Sequence, residues 1–331
     1  MHYAGNDTYD LWTQELQRNL IKMVKPDLVV VSGDAVSGYL AQRRGGYEKF
    51  WRKFTGPMME AQVPYAYILG NHDAEGDLDS FAIVDLDSSN PFSVRKGCEG
   101  IPHTTNFIQP VYSSRNEDEL AANIWMFDTG STVCEGFEYS WGCLEKDKIE
   151  WYDQESKRIK EEHGNNIHHL AFLHIPIPEF RTMYNNHEIY GVEDDDIGCP
   201  FVNTGFFDHV RANGDISAMF VGHDHTNEFG GWYEGVELVY GRKSGFNAYG
   251  DILGARVIML KENYNENGDL NVTRSHFIMG DDGSVVLPEP LKPRQGARKL
   301  YCGFPGAVYA WKVIVKKVFW EIGHFFKGLM N

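Results

Sequence analysis

The sequence lacks long hydrophobic runs and has few cysteines. No uninterrupted stretch of about 18 apolar residues occurs, so an ordinary membrane-spanning helix is not expected. The absence of a C-x-x-C pair argues against a structural zinc knuckle, and an odd number of cysteines excludes a fully paired disulfide framework. At most two bridges can form, and the nearest pair in sequence is Cys134 with Cys143. The five cysteines are Cys98, Cys134, Cys143, Cys199 and Cys302.

Positive charge is also scarce. Lys and Arg number 31 against 47 Asp and Glu, which gives a formal net charge of −16. A surface of that sign repels phosphate backbones, so nonspecific nucleic-acid binding and nuclease activity are disfavoured, whereas cations are attracted. The length of 331 residues and the hydrophobic share of 42% are sufficient for one large or two modest buried cores.

Short apolar runs alternate with amphipathic segments along the chain. Apolar spacings of three and four predict a helix over residues 7–25, and a similar pattern predicts another over residues 147–162. Runs rich in β-branched residues predict strands, and their ranges are 27–32, 63–69, 123–127, 169–173, 216–221, 236–240 and 253–260. Strands that alternate with helices predict a layered α/β core.

Side chains that bind metals follow several of these predicted strands. They are Asp34, Asn71 with His72, His174, and His223 with His225. Because strand ends converge where an open α/β sheet binds its ligand, we expect these side chains to cluster. Imidazole and carboxylate ligands suit zinc, iron and manganese, and the lack of thiolate disfavours a purely structural zinc site. One carboxylate among several nitrogen ligands favours a pair of metal ions that turns water into a nucleophile for attack on phosphorus.

The motifs that carry these residues, GDAVSG, GNHD, LHIP and GHDH, resemble those of the calcineurin-like metallophosphoesterases. The segments FLHIPIPEF, MFVGHDHTNEFG and LVYGRKSGFNAYG are similar to the single-domain purple-acid-phosphatase-like branch of plants, fungi and protists. The resemblance covers roughly residues 1–260. It implies an α/β fold, a four-layer α/β/β/α sandwich of two mixed sheets. It also implies a dinuclear centre of divalent or mixed-valence Mn, Zn or Fe ions, with a bridging hydroxide as the nucleophile.

The resemblance implies a ligand role for individual residues. Asp34 would bridge both metal ions. One metal site would be completed by Asn71, His174 and His223, and His225 would join Asp34 at the other site.

Three further residues receive roles in substrate handling. By the resemblance, His72 would lie beside the phosphate as an electrostatic stabiliser or leaving-group acid, and Asp73 would orient it. Arg242, in the segment YGRKSG, could hold a phosphate oxygen, although a place in a solvated loop is the favoured interpretation.

The sequence departs from the family pattern at its first motif. The family opens with a strand that leads into an Asp-x-His pair, whereas this chain begins Met1-His2-Tyr3. We expect Met1 to be the internal Met of that motif and His2 to be its metal-ligating histidine. The expected Asp and the first strand of the fold would then be missing, which would leave a gap in a central sheet.

A second departure lies three residues after Asp34. Ser37 occupies the position where purple enzymes have an iron-bound tyrosine, and Tyr39 is out of register with it. We therefore expect neither a tyrosinate-to-iron colour nor an obligate ferric site.

Two functions from different classes remain open. The first is metal-dependent hydrolysis of phosphate esters, with a phosphorylated small molecule or another phosphoester as substrate. The second is a catalytically impaired metal-binding relative that acts as an interaction module, since the expected Asp is absent. The acidic run at 193–196 is interpreted as a solvated loop without a catalytic role.

The predicted boundary of the catalytic domain is at residue 287. Residues 288–331 would form a proline-rich strap and a basic amphipathic helix at 308–330, which could pack on its own domain, lie on an anionic membrane surface or dock on a protein partner. The sequons at Asn6 and Asn271 permit a secreted or endomembrane location, with the cytoplasm as the alternative.

Overall fold

The computed structural model describes residues 1–4, 6–97, 100–137, 140–288 and 302. The predicted tail helix at 308–330 lies outside the described residues, so it stays a prediction, as does the domain boundary at 287. Helices α1 to α6 span Asp7–Val24, Gly46–Ala61, Ser80–Ser89, Lys146–His163, Pro178–Asn186 and Phe206–Asn213. Within the described ranges, every helix is too short or too polar to cross a bilayer.

The strands follow the predicted apolar runs and add several short ones. Strands β1 to β12 span Val29–Ser32, Tyr65–Ile68, Phe107–Tyr112, Leu120–Phe127, His168–Leu173, Ile189–Tyr190, Ile216–Val221, Gly230–Tyr233, Val236–Tyr240, Gly254–Tyr264, Leu270–Gly280 and Val285–Val286. The runs at 253–260 and 236–240 correspond to β10 and β9. The alternation of strands and helices therefore indicated the α/β class correctly.

The largest sheet has seven strands in the order β3-β4-β5-β7-β9-β8-β6. Its centre, from β4 through β5 and β7 to β9, is parallel, and its edge strands β3, β8 and β6 pair antiparallel. The central strands are almost continuously apolar because both faces of the sheet are covered. This sheet is mixed, as predicted.

The layer that faces this sheet consists of two separate small sheets. Strands β1 and β2 pair in parallel, and β10, β11 and β12 form an antiparallel sheet. Near the start of the chain, Tyr3 forms a parallel bridge with Val36, next to the end of β1. Together these strands form the second sheet layer of the predicted sandwich, which the described residues divide into a parallel pair and an antiparallel triplet.

Buried side chains between these elements define four layers. Helices α4, α5 and α6 cover one face of the seven-stranded sheet, where Phe127 packs edge-on against Phe206 with ring centroids 5.0 Å apart. The other face of that sheet packs on β1, β2 and β10 through residues such as Phe172, Ile68 and Ile258. Helices α2 and α3 cover the outside of β1 and β2, and α1 packs beside β10. The four-layer α/β/β/α arrangement is confirmed.

Asp87, in α3, is a buried carboxylate whose ionisation should affect stability. Its Oδ2 accepts a hydrogen bond of 2.9 Å from the Ser93 hydroxyl. Burial nevertheless raises the pKa of Asp87 from 3.8 to about 6. The folded state therefore binds more protons than the unfolded state between these two pKa values, and the free energy of unfolding should fall as pH rises through this window.

The Asp87→Asn variant should lose this pH dependence. A shift of about two pKa units corresponds to about 3 kcal/mol. The free energy of unfolding of the wild type should therefore fall by up to about that much between about pH 4 and pH 8, and that of the variant should lack this fall. Urea unfolding at several pH values measures the difference. Asp85→Asn, at an exposed position of the same helix, is the matched control and should follow the wild-type curve. Parallel curves for wild type and Asp87→Asn would contradict the interpretation.

Candidate metal centre

The ends of four parallel strands place the predicted ligands at one edge of the layered core. Asp34 follows β1, Asn71 follows β2, His174 follows β5, and the pair His223 and His225 follows β7. His2 reaches the same place because the backbone N–H of residue 2 donates to the carbonyl of Asp34 over 2.9 Å. The structure thus brings together all six side chains that the sequence analysis assigned to the metal ions.

The backbone at this edge is shaped to bring the strand ends close to each other. Asp34 and His223 have left-handed conformations, with φ of 50° and 72°, which side-chain-bearing residues rarely adopt and which cost about 1 kcal/mol or more. Glycine is required beside them: a Cβ at Gly70 would lie 2.2 Å from Asp34 Oδ1, and one at Gly33 would lie 2.4 Å from His174 Nδ1. The glycines of the GD and GN dipeptides therefore allow the close approach of β1, β2 and β5.

Asp34 belongs to two adjacent groups of ligand atoms. One group contains His2, Asp34 and His225, and the other contains Asp34, His174 and His223. Within each group the ligand atoms lie within 4.8 Å of one another. Asn71 joins the second group, since its Oδ1 lies 2.9 Å from His223 Nδ1 and 3.0 Å from His174 Nε2. A carboxylate shared by two groups has the arrangement required to bridge two cations.

The second group is arranged to surround a positive charge. His174 Nδ1 lies 2.7 Å from the carbonyl oxygen of Ser32, which can only accept, so Nδ1 carries the proton. In the neutral ring, Nε2 then presents a lone pair to Asp34 Oδ2 at 3.2 Å and Asn71 Oδ1 at 3.0 Å. Burial lowers the pKa of His174, but the negative charge of Asp34 raises it by more, so the pKa lies above its ordinary value. A proton on Nε2 can therefore occupy the place of a metal cation.

The ligand atoms of the first group, which contains His2, Asp34 and His225, also surround the place of a positive charge. His2 Nδ1 lies 2.9 Å from the Ser37 hydroxyl, while His2 Nε2 lies 3.3 Å from Asp34 Oδ2 and 3.0 Å from His225 Nε2. Two imidazole nitrogens and a carboxylate oxygen therefore meet around one point. Ser37, at the position where purple enzymes have a tyrosine, orients His2 through this contact. The donor set of both groups fits a nitrogen- and oxygen-ligated divalent cation.

The electrostatics keep His223, His225 and Asp34 in the forms that bind metals. Burial, reinforced by neighbouring imidazoles, lowers the pKa of His223 to about 3 and that of His225 to about 2, so both rings are neutral. Burial opposes ionisation of Asp34, yet His174 and His2 beside it hold the pKa of its carboxyl well below the ordinary range. Neutral imidazoles and an ionised carboxylate are the ligand forms that divalent cations require.

Asp73 does not orient His72, contrary to the role that the resemblance implied. Its fully buried carboxylate accepts from the backbone N–H groups of Asp34 and Gly70, both at 2.8 Å, and of Val36 at 3.0 Å. The Tyr47 hydroxyl donates a fourth hydrogen bond over 3.2 Å. Asp73 therefore ties the loop after β1 to the loop after β2, which positions the metal ligands rather than the imidazole of residue 72.

Glu75 holds the His72 ring instead. Its Oε2 lies 2.7 Å from His72 Nδ1, and both side chains are about one-third exposed, at 39% and 34%. Since a carboxylate accepts, Nδ1 donates, and Nε2 is the nitrogen that remains for another partner. The backbone N–H of His72 also donates to Asp34 Oδ1 over 2.9 Å, which fixes His72 beside the two ligand groups. The i to i+3 spacing of His72 and Glu75 was visible in the sequence but was not used.

The structure places Arg242 against Glu228, with Nε and Oε2 3.3 Å apart, and Arg242 is not among the residues that line the cavity at the metal centre. The predicted phosphate contact of Arg242 therefore has no support in the geometry. The neighbouring Lys243 directs its ammonium to three backbone carbonyls of residues 248–250.

A cavity of about 290 Å³ opens on the two ligand groups, and its walls include residues that the sequence analysis did not assign to the site. They are Trp141, Asp195, Asp196, Gly198, Asp224 and Tyr249. The acidic run at 193–196 was interpreted as a solvated loop, yet two of its members line this cavity. Asn227 fixes the run here, because its Oδ1 accepts from the backbone N–H groups of Asp194 and Asp195 at 3.1 and 3.0 Å.

Two disulfides flank the cavity. Cys134 bonds to Cys143, the pair nearest to each other in sequence, and closes the loop that carries Trp141. Cys199 bonds to Cys302 and adjoins Gly198 in the cavity wall.

The described residues thus combine a four-layer α/β/β/α core with two groups of potential metal ligands that share Asp34 at the strand ends. The sequence model of the calcineurin-like phosphoesterase family matches residues 2–227. The chain belongs to this family, and the resemblance found in the motifs is confirmed. Membership indicates a phosphoesterase type of protein that uses divalent metal ions.

Two named plant proteins and one solved structure are similar to this chain. "Probable inactive purple acid phosphatase 14" of Arabidopsis thaliana is 29% identical over 270 residues, which cover 76% of this chain and 67% of the relative. "Probable inactive purple acid phosphatase 29" of the same plant is 28% identical over 284 residues, which cover 80% of this chain and 72% of the relative. A dimetal phosphatase from Danio rerio superposes with a TM-score of 0.49 at 13% identity, covering 70% of this chain and 78% of that one.

Proposed function

We propose that this chain hydrolyses phosphate esters with two divalent cations, one held by His2, Asp34 and His225 and the other by Asp34, Asn71, His174 and His223. The observation that supports this proposal most is the position of Asp34, which contributes to both groups of ligand atoms. When bound, the two cations would lower the pKa of a water molecule and offset the negative charge of the phosphoryl group.

His72 supplies proton chemistry in this proposal. Glu75 fixes the ring through Nδ1, and the ring lines the cavity, so Nε2 is available to the substrate. In the protonated ring, Nε2–H can donate to the oxygen of the departing alcohol, which makes that alcohol a better leaving group. Asp73 acts on the reaction only through the loops that it ties together.

The competing proposal is a metal-binding relative without catalysis. It is favoured by the names of the two Arabidopsis relatives, both of which contain the word "inactive". The ligand group of His2, Asp34 and His225 is the smaller of the two, so loss of one cation from it would produce such a protein.

Metal-dependent turnover distinguishes the two proposals. The protein is stripped with a chelator, reloaded with Mn²⁺ or Zn²⁺, and assayed with p-nitrophenyl phosphate and bis(p-nitrophenyl) phosphate while bound metal is counted. We expect about two ions per chain and turnover that appears only after reloading. A fully loaded protein that is inert to both the monoester and the diester would refute hydrolysis and support the interaction module.

The contact between Glu75 and His72 predicts a dependence on the leaving group. Glu75→Gln should lower kcat for an alkyl phosphate by about tenfold or more, because a poorly held His72 protonates the alkoxide less well. For p-nitrophenyl phosphate, whose leaving group needs little protonation, kcat should change by less than about threefold. Equal losses for both substrates would contradict the assignment of His72 as the leaving-group acid.

A further inference from the structure

Two aromatic side chains form the walls of the cavity at the metal centre. The Trp141 ring lies edge-on to His223, with centroids 4.3 Å apart, and the Tyr249 ring lies 4.2 Å from that of His225. Each wall therefore contacts an imidazole of a different ligand group. A substituent on a phosphoryl group bound at the metal centre is bounded by both rings.

The Tyr249 wall is fixed from several directions. Lys243 donates to the three carbonyls of residues 248–250, which hold the loop that carries Tyr249. The Tyr249 hydroxyl donates to Asp195 Oδ2, and Asn227 in turn holds the backbone of Asp195 over 3.0 Å. This part of the cavity is thus preorganised, which lowers the entropic cost of binding a ligand against it.

Beyond the metal ligands, the charged side chains that line the cavity are carboxylates. Asp195 and Asp196 line it, and among the described residues neither lysine nor arginine does. Two cationic side chains that precede Tyr249 in the sequence are directed elsewhere, Lys243 to backbone carbonyls and Arg242 to Glu228. A second anionic group on a substrate would be repelled here, whereas an ammonium group would be attracted by the carboxylates and by the aromatic rings.

We propose that this cavity is a leaving-group subsite that selects phosphomonoesters of small alcohols carrying an ammonium group. The inference rests on the proposed hydrolase function. In the reaction, the phosphorus–oxygen bond to the alcohol breaks, a phosphorus–oxygen bond to water forms, and the proton lost by the water ends on the alcohol oxygen. The volume of about 290 Å³ is sufficient for a small alcohol next to the phosphoryl group.

A pair of substrates that differ only in charge tests the proposal. Phosphocholine and 3,3-dimethylbutyl phosphate have the same shape, but only the first carries a positive charge. We expect kcat/KM of the metal-loaded protein to be at least about tenfold higher for phosphocholine, and lower for the anionic 3-phosphoglycerate than for either. Their non-hydrolysable phosphonate analogues, titrated by calorimetry, should show the same order of dissociation constants without any turnover.

Charge removal in the subsite provides the second test. The double variant with Asp195→Asn and Asp196→Asn should reduce the ratio between the cationic and the neutral substrate toward one, in both kcat/KM and phosphonate binding. Asp118→Asn removes the same kind of charge from an exposed turn between β3 and β4, and it should leave the ratio unchanged.

The outcomes separate the two levels of the proposal. Equal rates and equal phosphonate binding for the charged and neutral partners would overturn the ammonium subsite and leave the hydrolase intact. A ratio that persists in the double variant would also overturn the assignment to these carboxylates. Failure of the loaded protein to hydrolyse every ester, simple aryl phosphates included, would overturn the proposed function and with it the subsite.

Discussion

Asp34→Asn should abolish metal-dependent turnover, with a loss of at least about a thousandfold in kcat/KM, since several kcal/mol of transition-state stabilisation depend on the cations. Asp34 Oδ2 faces His2 Nε2 at 3.3 Å and His174 Nε2 at 3.2 Å. An asparagine at this position keeps the shape but loses the bridging charge. Its amide nitrogen can donate to a histidine nitrogen, so the metal-free variant should fold. Metal analysis of the purified variant should find fewer than two ions per chain.

Thermal unfolding separates a metal defect from a folding defect in this variant. Metal ions that bind only the folded state should raise the Tm of the wild type, and the shift should be small or absent in Asp34→Asn. Asp118→Asn serves as the control and should keep the wild-type shift. If Asp34→Asn keeps both its metal ions and its turnover, the shared carboxylate is not the centre of the site.

Asp73→Ala should have the largest effect on stability. Four donors converge on this buried carboxylate, three of them backbone N–H groups of residues 34, 36 and 70, and all four would lose their acceptor. We expect a loss of about 4 kcal/mol in the free energy of unfolding, because buried donors without partners cost about 1–3 kcal/mol each and the loops relax only in part. Urea unfolding of the metal-free protein measures this loss.

Metal affinity should fall in the same variant although Asp73 is not a ligand. Residues that position metal ligands typically contribute about 10–100-fold to affinity, so calorimetric titration with Mn²⁺ or Zn²⁺ should show a decrease of that size. Tyr47→Phe removes only one of the four hydrogen bonds and should cost about 1 kcal/mol with little change in affinity. An Asp73→Ala variant with wild-type stability and affinity would contradict the role assigned to this carboxylate.

The ligand groups could be predicted from the sequence because their positions follow from topology. Each ligand in the motifs comes directly after an apolar run, and the carboxyl ends of parallel strands meet at one edge of the core. Asp34 after β1 and His174 after β5 follow strands of two different sheets, and the packing of these sheets on each other brings the two distant residues within 3.2 Å. His2 was placed by its position before the GDAVSG strand, and the contact of Tyr3 with Val36 shows how the backbone aligns it.

The rest of the site depends on loop conformation, which periodicity does not encode. Asp73 and Glu75 are both carboxylates near His72 in sequence, and only the turn after β2 determines that Glu75 reaches the ring while Asp73 turns to the backbone. The acidic run that contains Asp195 was interpreted as a solvated loop. Asn227, which holds the backbone of Asp195, lies 32 residues away in the sequence, so no local pattern indicates this contact. Arg242 was assigned to phosphate from charge alone, whereas in the structure Glu228 lies within 3.3 Å of it.

Crystals of the protein grown with Mn²⁺ test the central claim most directly, through anomalous scattering from the metal. The account predicts a pair of anomalous peaks about 3.5–4 Å apart, both within bonding distance of Asp34. His2 and His225 should contact one peak, and His174 and His223 the other. A single peak, or peaks away from these side chains, would contradict the paired-cation centre on which the proposed chemistry depends.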